Sequence, residues 1–216
     1  HLLLSHGWSV PVIREHCPGA KVGITLNMCP AEPASESDAD RVACELFDGW
    51  FNRWFLDPLY GKGYPEDVVE DHRRKGNLPE GPLPFVEEGD LQTMAVETDF
   101  LGINYYSRAI IRSDKIDEAD NAPRRVHRAP KSEDTDMGWE VYPKGLFDTL
   151  TRVHRDYAPK EIFVTECGAA YDTPPDAKGR IRDDKRLSFL ATHFEQCRLA
   201  IEEGVPVGGF FVWSFF

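Results

Sequence analysis

The sequence lacks the patterns that mark membrane spans and phosphate sites. No apolar run approaches the roughly 18–20 residues that a membrane-spanning helix needs, and no glycine-rich loop is present to bind a phosphate group. Positive charge is also scarce: 25 lysines and arginines stand against 37 aspartates and glutamates, for a formal net charge of −12. Because that charge repels phosphate backbones and anionic lipids, neither nucleic acid nor a membrane surface is expected as a partner.

Cysteine occurs five times, but in no arrangement typical of a zinc site or a disulfide framework. The five are odd in number, far apart and without a C-x-x-C pair, and lie at Cys17, Cys29, Cys44, Cys167 and Cys197. This pattern favours a reducing, cytoplasmic location. The chain also begins at His1 within a helical pattern, with neither a methionine nor a basic leader, so we expect a soluble chain that is truncated at this end.

Four short apolar runs, rich in β-branched and aromatic residues, stand out from the rest of the chain. Their apolar residues run together instead of alternating with polar ones, which is typical of strands buried on both faces. The runs cover residues 21–28, 99–106, 161–165 and 207–216. Between them, apolar residues recur at three- and four-residue intervals, which predicts helices. We expect helices from Asp38 or Asp40 to a stop at Asp57-Pro58, from Pro143 onward, and over 183–203, with another helical pattern across Pro11.

Strands that alternate with helices, joined by crossovers longer than a hairpin, predict an α/β fold with a parallel sheet. Four such units fit either half of an eight-stranded (β/α)8 barrel or a small doubly wound sheet, and length alone does not choose between them. Residues 113–136 are charged and nearly free of large apolar groups. We therefore expect a long exposed loop there, within one domain that spans residues 1–216.

Polar and aromatic side chains stand at the ends of all four predicted strands. In chain order they are Asn27, Asn104 with Tyr105 and Tyr106, Glu166, and Trp213 with Ser214. In a βα barrel the chemistry gathers where strands hand over to the following loops. Carboxylates and amides hydrogen-bond hydroxyl groups, and an aromatic ring covers the apolar face of a sugar ring. This set therefore favours a small, neutral, polyhydroxylated ligand.

Glu166 is the most informative of these residues, because it closes the apolar strand in IFVTECGAAY, residues 162–171. A carboxylate at the end of a buried strand is held rigidly, and a hydrogen bond from a neighbouring tyrosine would favour the ionised form that a nucleophile requires. The alternative from the residues alone is an ordinary strand-end glutamate that pairs with an arginine.

Five segments of the chain resemble glycoside hydrolase family 1, the β-glucosidase family, and occur in that family's order. IFVTECGAAY resembles its strand-seven signature, and GINYYS, residues 102–107, its strand-six signature. The others are DGWFNRWFLDPLYGKGYPEDV at 48–68, MGWEVYPKGL at 137–146 and GVPVGGFFVWSFF at 204–216. The resemblance covers nearly the whole chain, and it implies the C-terminal half, strands five to eight, of a (β/α)8 TIM barrel.

The same resemblance implies a retaining β-glycosidase that hydrolyses β-glucosides or β-galactosides through a covalent intermediate, without a metal or organic cofactor. By motif position, Glu166 would be the nucleophile and Tyr106 would orient it by a hydrogen bond. Asn104 would order the polar network beside them. Trp213 would form the platform under the sugar, and Trp139 would line the leaving-group side, although either tryptophan could instead belong to the core.

The sequence also departs from the family pattern. Cys167 stands where the family has asparagine, so contacts of that amide are lost, and we expect Cys167 to fill space as a small apolar side chain. The family's general acid, a glutamate at the end of strand four, would precede His1, and neither Asn27 nor Glu32 replaces it. The isolated chain is therefore expected to be nearly inactive as a hydrolase, and its open sheet edges predict association into homo-oligomers.

Two other functions stay open. A half-barrel without the acid is consistent with a non-catalytic carbohydrate-binding or interaction protein. Another retaining βα-barrel glycosidase, such as an endoglucanase, would use the same strand-end carboxylate.

Overall fold

A computed structural model describes residues 1–113 and 133–214, and its centre is a four-stranded parallel sheet. The strands are β1 (Gly23–Met28), β3 (Phe100–Tyr105), β5 (Ile162–Cys167) and β6 (Val207–Val212). They neighbour one another in the order β1-β3-β5-β6, which is also their order along the chain. A doubly wound sheet reverses its order at a switch point, whereas a βα barrel does not. The described sheet therefore has the topology of a barrel segment.

Helices separate the strands, and a second, small sheet lies near their ends. The helices are α1 (Leu2–His16), α2 (Asp38–Asp48), α3 (Trp54–Leu59), α4 (Glu66–Arg74), α5 (Asp90–Met94), α6 (Pro143–Tyr157) and α7 (Asp184–Glu202). A π-helical turn, Gly49–Arg53, joins α2 to α3. The small sheet pairs β2 (Ala31–Pro33) with β4 (Ala109–Ile111), again in parallel. Each of these short strands follows a strand of the main sheet in the chain: β2 follows β1, and β4 follows β3.

The four predicted strands are confirmed, but the prediction that all are buried on both faces is wrong for the outer two. β3 and β5 are mostly buried, whereas β1 and β6 have exposed positions. β1 and β6 are the edges of the described sheet, so each has a strand on one side only. β6 also ends at Val212, before the predicted end of the run, and residues 215–216 lie outside the described part.

The structure confirms two predicted helix starts and corrects one predicted cap and one predicted stop. The predicted starts of α6 and α7 are confirmed to within one residue, with Pro143 in the first turn of α6. Helix α2 is capped by Ser37, whose Oγ accepts the Asp40 N–H at 3.1 Å, so the predicted aspartate cap is wrong. The stop at Asp57-Pro58 is also wrong, because α3 continues through Pro58 to Leu59. Proline removes one N–H donor, and here the helix ends only one residue later.

The predicted loop at 113–136 falls mostly on residues 114–132, which lie outside the described residues. Its two described ends are exposed only in part, at Glu133 and Asp136, whereas the loop prediction required exposure throughout. Ser113 and Thr135 are both buried, and Asp134 forms an antiparallel bridge with Glu140. The residues after 132 therefore belong to a folded turn that leads into α6.

One hydrophobic core joins the inner strands to α6 and α7. Leu101 and Ile103 of β3 and Ile162 and Val164 of β5 pack with residues of both helices, and all four are essentially inaccessible. Burial of each such side chain contributes about 1.5–3 kcal/mol relative to an exposed position. This core fixes the direction of the strands, and with it the positions of the side chains at their ends.

His193 of α7 is a buried histidine in this core, and it makes stability depend on pH. Its ring stacks on Phe189, with centroids 3.8 Å apart, and Nδ1 lies 2.7 Å from the Phe189 carbonyl oxygen. Nε2 is buried and has no hydrogen-bond partner among the described residues. Burial lowers the pKa of His193 to about 4, although its contact with the Phe189 carbonyl acts in the opposite direction.

The lowered pKa gives a testable direction. Between the usual histidine pKa of about 6.5 and the folded value, the unfolded chain binds a proton that the folded chain does not, so stability falls as the pH falls. We expect the His193→Phe variant to lose about 2 kcal/mol less unfolding free energy than the unsubstituted chain between pH 6.5 and pH 5. Urea unfolding at both pH values measures the difference. An exposed histidine, His16, replaced by glutamine is the control, and equal losses in all three proteins would contradict the prediction.

Candidate active site

The carboxyl ends of three adjacent strands bring three of the predicted polar residues side by side. Asn27 of β1 is in register with Asn104 of β3, and Asn104 is in register with Glu166 of β5. The β3–β5 pairing shifts register between Ile103 and Asn104. Such irregularities re-aim side chains at strand ends and are common next to active sites. An amide, a second amide and a carboxylate therefore follow one another across adjacent strands.

Glu166 accepts a short hydrogen bond from Tyr106, the residue that follows β3. Both side chains are only half-buried, so they can reach a ligand at this end of the sheet. Burial, reinforced by the bond to Glu166, raises the pKa of Tyr106 well above its ordinary value. The phenol is therefore a proton donor at neutral pH and cannot compete with Glu166 as an anion. Among residues 1–113 and 133–214, the partner of Glu166 is thus a tyrosine, not the arginine of the alternative interpretation.

Asn104 is oriented by the neighbouring strand. Its Oδ1 accepts a hydrogen bond from Thr165 Oγ1 at 2.7 Å, across β3 and β5. With the acceptor oxygen committed to Thr165, the Nδ2 group is the donor that Asn104 can offer to a ligand hydroxyl. The polar edge therefore combines an oriented donor at Asn104 with an acceptor carboxylate at Glu166.

Trp139 and Trp213 are not core residues, because they are 39% and 59% exposed. The Trp139 ring lies against Tyr106, with centroids 5.1 Å apart and an interplanar angle of 56°. Both tryptophans line one open cavity of about 740 Å³, together with Tyr106 and Gly168. Both tryptophans and Tyr106 thus face one cavity, and the roles predicted for them toward a sugar stay predictions.

Gly168 allows the residue after β6 to approach the end of β5 closely. A side-chain Cβ at this position would collide with the carbonyl oxygen of Trp213. The Trp213 N–H donates to the Cys167 carbonyl at 3.1 Å, so the two strand ends are tied together directly. Cys167 itself is fully buried, and burial raises the pKa of its thiol, so it is a neutral space-filling side chain. Its interpretation as a small apolar residue is consistent with this position.

A second cavity, of about 430 Å³, opens on the other side of Tyr106 and is mainly apolar. Met28, Phe47 and Phe51 line it, along with Asn104 and Tyr106. Sequence reasoning assigned both phenylalanines to the buried face of a helix and did not expect them near the site. Their helical spacing gave no other signal, because an apolar stripe has the same spacing whether it faces a core or a cavity.

The residues most clearly missed from the sequence are Arg108 and Glu140. They line the second cavity and form a two-bond ion pair, with N···O distances of 2.8 and 2.9 Å. Both belong to or adjoin the motifs quoted above, but a contact between positions so far apart in the chain leaves no local pattern. Glu32, which was not promoted to the acid, accepts hydrogen bonds from Arg108 and Tyr142.

Further findings concern metal binding, membrane crossing and the cysteines. Across residues 1–113 and 133–214, no group of three or more histidine, cysteine or acidic residues is arranged to hold a metal ion. In the same ranges, no helix combines the length and the apolar character that a membrane crossing requires. All five cysteines, which lie within these ranges, are free thiols.

Comparisons with known proteins agree with this geometry. The family model described as Glycosyl hydrolase family 1 matches residues 1–216. A 1,4-beta-D-glucan glucohydrolase of Thermotoga neapolitana is 38% identical over 220 residues, which are 99% of this chain and 48% of that protein. Beta-glucosidase A of Acetivibrio thermocellus is 37% identical over 214 residues, 99% of this chain and 46% of that protein.

Solved structures give the same result. The family 1 β-glucosidase of Thermotoga maritima superposes with a TM-score of 0.87 at 36% identity, over 99% of this chain and 46% of that one. A β-glucosidase from Exiguobacterium marinum gives a TM-score of 0.87 at 33% identity, over 99% and 47%. The chain thus spans about half the length of the relatives it matches. The predicted fold, the C-terminal half of a (β/α)8 TIM barrel, is confirmed.

Proposed function

Because the chain belongs to glycosyl hydrolase family 1, we propose that it provides the nucleophile half of a retaining β-glycosidase active on β-glucosides or β-galactosides. The observation that carries the proposal is the hydrogen bond from Tyr106 to Glu166 at the carboxyl end of a parallel sheet. Relatives of this chain are β-glucosidases, and the Thermotoga maritima enzyme has been solved with glucoimidazole, a sugar-like ligand. Both facts support a saccharide as the substrate.

In the proposed mechanism Glu166 attacks the anomeric carbon. Tyr106 holds Oε2, which leaves Oε1 as the attacking oxygen. As the new ester bond forms, the bond from the anomeric carbon to the leaving oxygen breaks, and that oxygen takes a proton from a general acid. Water, deprotonated by the same second carboxyl group, then hydrolyses the ester and releases the sugar with its original configuration.

The second carboxyl group must lie about 5–5.5 Å from the first in a retaining enzyme. We assign it to the part of the relatives that this chain does not span. By itself the chain therefore offers the nucleophile and much of the sugar platform but not the acid, and we expect little turnover from it. General acid–base catalysis contributes typically about 10²–10⁴-fold.

The remaining site residues take supporting roles in this proposal. The Nδ2 group of Asn104 donates to a sugar hydroxyl, and the exposed ring of Trp213 covers the apolar face of the sugar. Trp139, beside Tyr106, contacts the leaving group. No metal or organic cofactor takes part. A cytoplasmic location stays a prediction from the cysteine pattern, and self-association at the edges of β1 and β6 stays a prediction from the open sheet.

A non-catalytic carbohydrate-binding half-barrel is the second candidate. It is favoured by the exposed positions of Trp139 and Trp213, which line one cavity and which sugar binding requires with or without catalysis. It predicts sugar binding by this chain without turnover in any context that provides the second carboxyl group.

Covalent trapping tests the proposal. We would build a hybrid in which this chain replaces the matching segment of the Thermotoga maritima β-glucosidase, and treat it with a 2-deoxy-2-fluoro-β-glucoside that carries a good leaving group. Mass spectrometry should find one added fluoroglycosyl group on the peptide that contains Glu166, and none in a Glu166→Gln hybrid. A label on any other residue would remove Glu166 from the role. Labelling by a cellobioside but not by a glucoside would instead indicate an endoglucanase.

A further inference from the structure

An ion-pair cluster lies next to Tyr106, and the mechanism above gives it no role. Arg108 directs its guanidinium at two carboxylates. Nε and Nη2 donate to the two oxygens of Glu140 at 2.8 and 2.9 Å, and Nη1 donates to Glu32 Oε2 at 2.5 Å. The guanidinium also lies over the ring of Tyr142, with Cζ 3.8 Å from its centroid. Arg108 is therefore fixed in direction as well as in charge.

Two members of the cluster are largely withdrawn from water, whereas Glu32 is partly exposed. The side chains of Arg108 and Glu140 are only 12% and 9% exposed. A two-bond pair of this kind adds little net stability, because desolvation offsets much of the attraction, but it tolerates only one relative placement of the groups it joins. Such a pair therefore fixes the relative position of the two chain segments that carry Arg108 and Glu140.

Glu140 belongs to the turn that carries Trp139. The Trp139 carbonyl accepts the Thr135 N–H at 2.8 Å, and Glu140 bridges to Asp134. On its other side the turn is held by the segment after β3. There the Ser107 hydroxyl donates to the Glu140 carbonyl at 2.8 Å, while Arg108 binds the Glu140 carboxylate. The dipeptide Ser107-Arg108, directly after Tyr106, thus hydrogen-bonds both the backbone carbonyl and the carboxylate of Glu140, the residue after Trp139.

We propose that Arg108 is a positioning residue which, through Glu140, holds the ring of Trp139 beside Tyr106 and so restricts the leaving groups that fit next to the sugar. It acts on the substrate only through Trp139. The statement about the leaving group rests on the function proposed above, whereas the statement about the Trp139 ring rests on the cluster alone. The two parts can therefore fail separately.

Lysine should not replace arginine here. An ammonium group can offer point-charge contacts but cannot match the planar fork that spans Glu140 and still reach Glu32 while stacked on Tyr142. Arg108→Lys therefore keeps the charge and removes the orientation. Glu140→Gln makes the complementary change, because it keeps the shape of the side chain and weakens the same pair.

Fluorine NMR of the chain labelled with 5-fluorotryptophan measures the ring directly. The five tryptophans give five signals, and Trp139→Phe identifies the one from Trp139. We expect Arg108→Lys and Glu140→Gln each to shift or broaden that signal while the signals of Trp8 and Trp54 stay in place. The matched control is Arg198→Lys, since Arg198 also binds two carboxylates, Glu195 and Glu202, but on the exposed face of α7.

Ligand affinity in the hybrid enzyme provides the second measurement. We expect Arg108→Lys to raise the dissociation constant of an aryl β-thioglucoside roughly tenfold and that of glucose less than about twofold. The reason is that a displaced Trp139 ring affects only the aryl group that it contacts, and glucose has none. A general loss of structure would weaken both ligands alike. Arg198→Lys should change neither.

Unchanged Trp139 signals in both Arg108→Lys and Glu140→Gln would overturn the positioning role. If Arg108→Lys unfolds the chain, Glu140→Gln alone decides the matter, since it weakens the same pair from the other side, and an unmoved Trp139 signal there would also overturn the role. A moved signal together with equal losses of affinity for both ligands would overturn the part about the leaving group. A hybrid that binds no sugar, with the Trp139 signal moved as expected, would refute the proposed function and leave the positioning role standing.

Discussion

Replacing Glu166 with glutamine is expected to lower kcat/KM of the hybrid enzyme for an aryl β-glucoside by roughly 10⁴-fold or more, because loss of a catalytic nucleophile removes the covalent route. Glutamine has nearly the same shape and can still accept the Tyr106 hydrogen bond through its carbonyl oxygen. What it cannot do is form the ester with the anomeric carbon. Steady-state rates with a chromogenic β-glucoside measure the loss.

A small anion should restore part of the lost rate and report the direction of attack. In Glu166→Ala the removed carboxylate leaves space on the face of the sugar opposite the leaving group. Azide placed there would displace the leaving group once and yield the α-glycosyl azide, with inverted configuration. A β-glycosyl azide, or no azide product in an enzyme that still turns over, would contradict attack from the position of Glu166.

Two variants separate the nucleophile from its surroundings. Tyr106→Phe keeps the ring that packs on Trp139 and removes only the hydroxyl that binds Glu166, so a smaller loss of about 10²-fold is expected. Glu161→Gln is the matched control, because Glu161 immediately precedes the same strand at its opposite end and pairs with Lys21. It should change kcat/KM by less than about twofold. A loss in Glu161→Gln as large as in Glu166→Gln would point to damage of the strand, not of the chemistry.

The parts of this site that the sequence predicted are those that depend on strand ends. Parallel strands in chain order bring their carboxyl ends to one edge, so a glutamate and a tyrosine that close consecutive inner strands must be neighbours. A tyrosine neighbour for Glu166 follows from that rule and from two apolar runs, whereas the choice of Tyr106 over Tyr105 came from the family resemblance. The exposure of Trp213 was not predicted, because residues 207–216 were expected to form one strand buried on both faces, whereas β6 ends at Val212.

The parts that could not be predicted depend on contacts between loops and helices far apart in the chain. The ion pairs of Arg108 with Glu140 and of Asp48 with Arg152 leave no signal in the sequence around these residues, since a charged side chain is usually solvated. The π-helical turn at Gly49–Arg53 was also missed, because an inserted residue leaves the three- and four-residue spacing of apolar side chains nearly unchanged. In each case the deciding information is three-dimensional.

Asp48 shows how much such a contact can matter. It ends α2 and accepts hydrogen bonds from Arg152 of α6 at 2.6 and 2.7 Å, from Arg53 Nε at 2.9 Å and from Asn52 Nδ2 at 2.8 Å. Burial alone would raise the pKa of Asp48, but the bonds from Arg152, Asn52 and Arg53 outweigh it and lower the pKa. The carboxylate is therefore ionised at neutral pH and joins two helices and the π-helical turn.

Asn52 connects Asp48 to the backbone just after β1 through hydrogen bonds. Its side-chain amide is almost fully buried and pairs with the backbone of Cys29, accepting from the N–H at 3.1 Å and donating to the carbonyl at 2.8 Å. Cys29 lies two residues beyond Asn27, at the rim of the apolar cavity. Asp48 therefore holds the amide that shapes the exit of the first strand toward the site.

We expect Asp48→Ala to lower the free energy of unfolding by about 3–5 kcal/mol, the usual cost of leaving a buried charge without its partner. Arg152 would lose its two shortest contacts but is partly exposed and keeps a contact with Asp156, so Arg152→Met in the same background should recover only a small part of the loss. Asp148→Ala is the control: Asp148 pairs with Lys144 on the exposed face of α6, where a pair is worth less than about 1 kcal/mol. Urea unfolding at pH 7 measures all four proteins.

Because the pKa of Asp48 is lowered by folding, its contribution should be present at neutral pH and lost as the pH falls below the usual aspartate range. Equal costs for Asp48→Ala and Asp148→Ala would show that the cluster does not hold the strand exit in place.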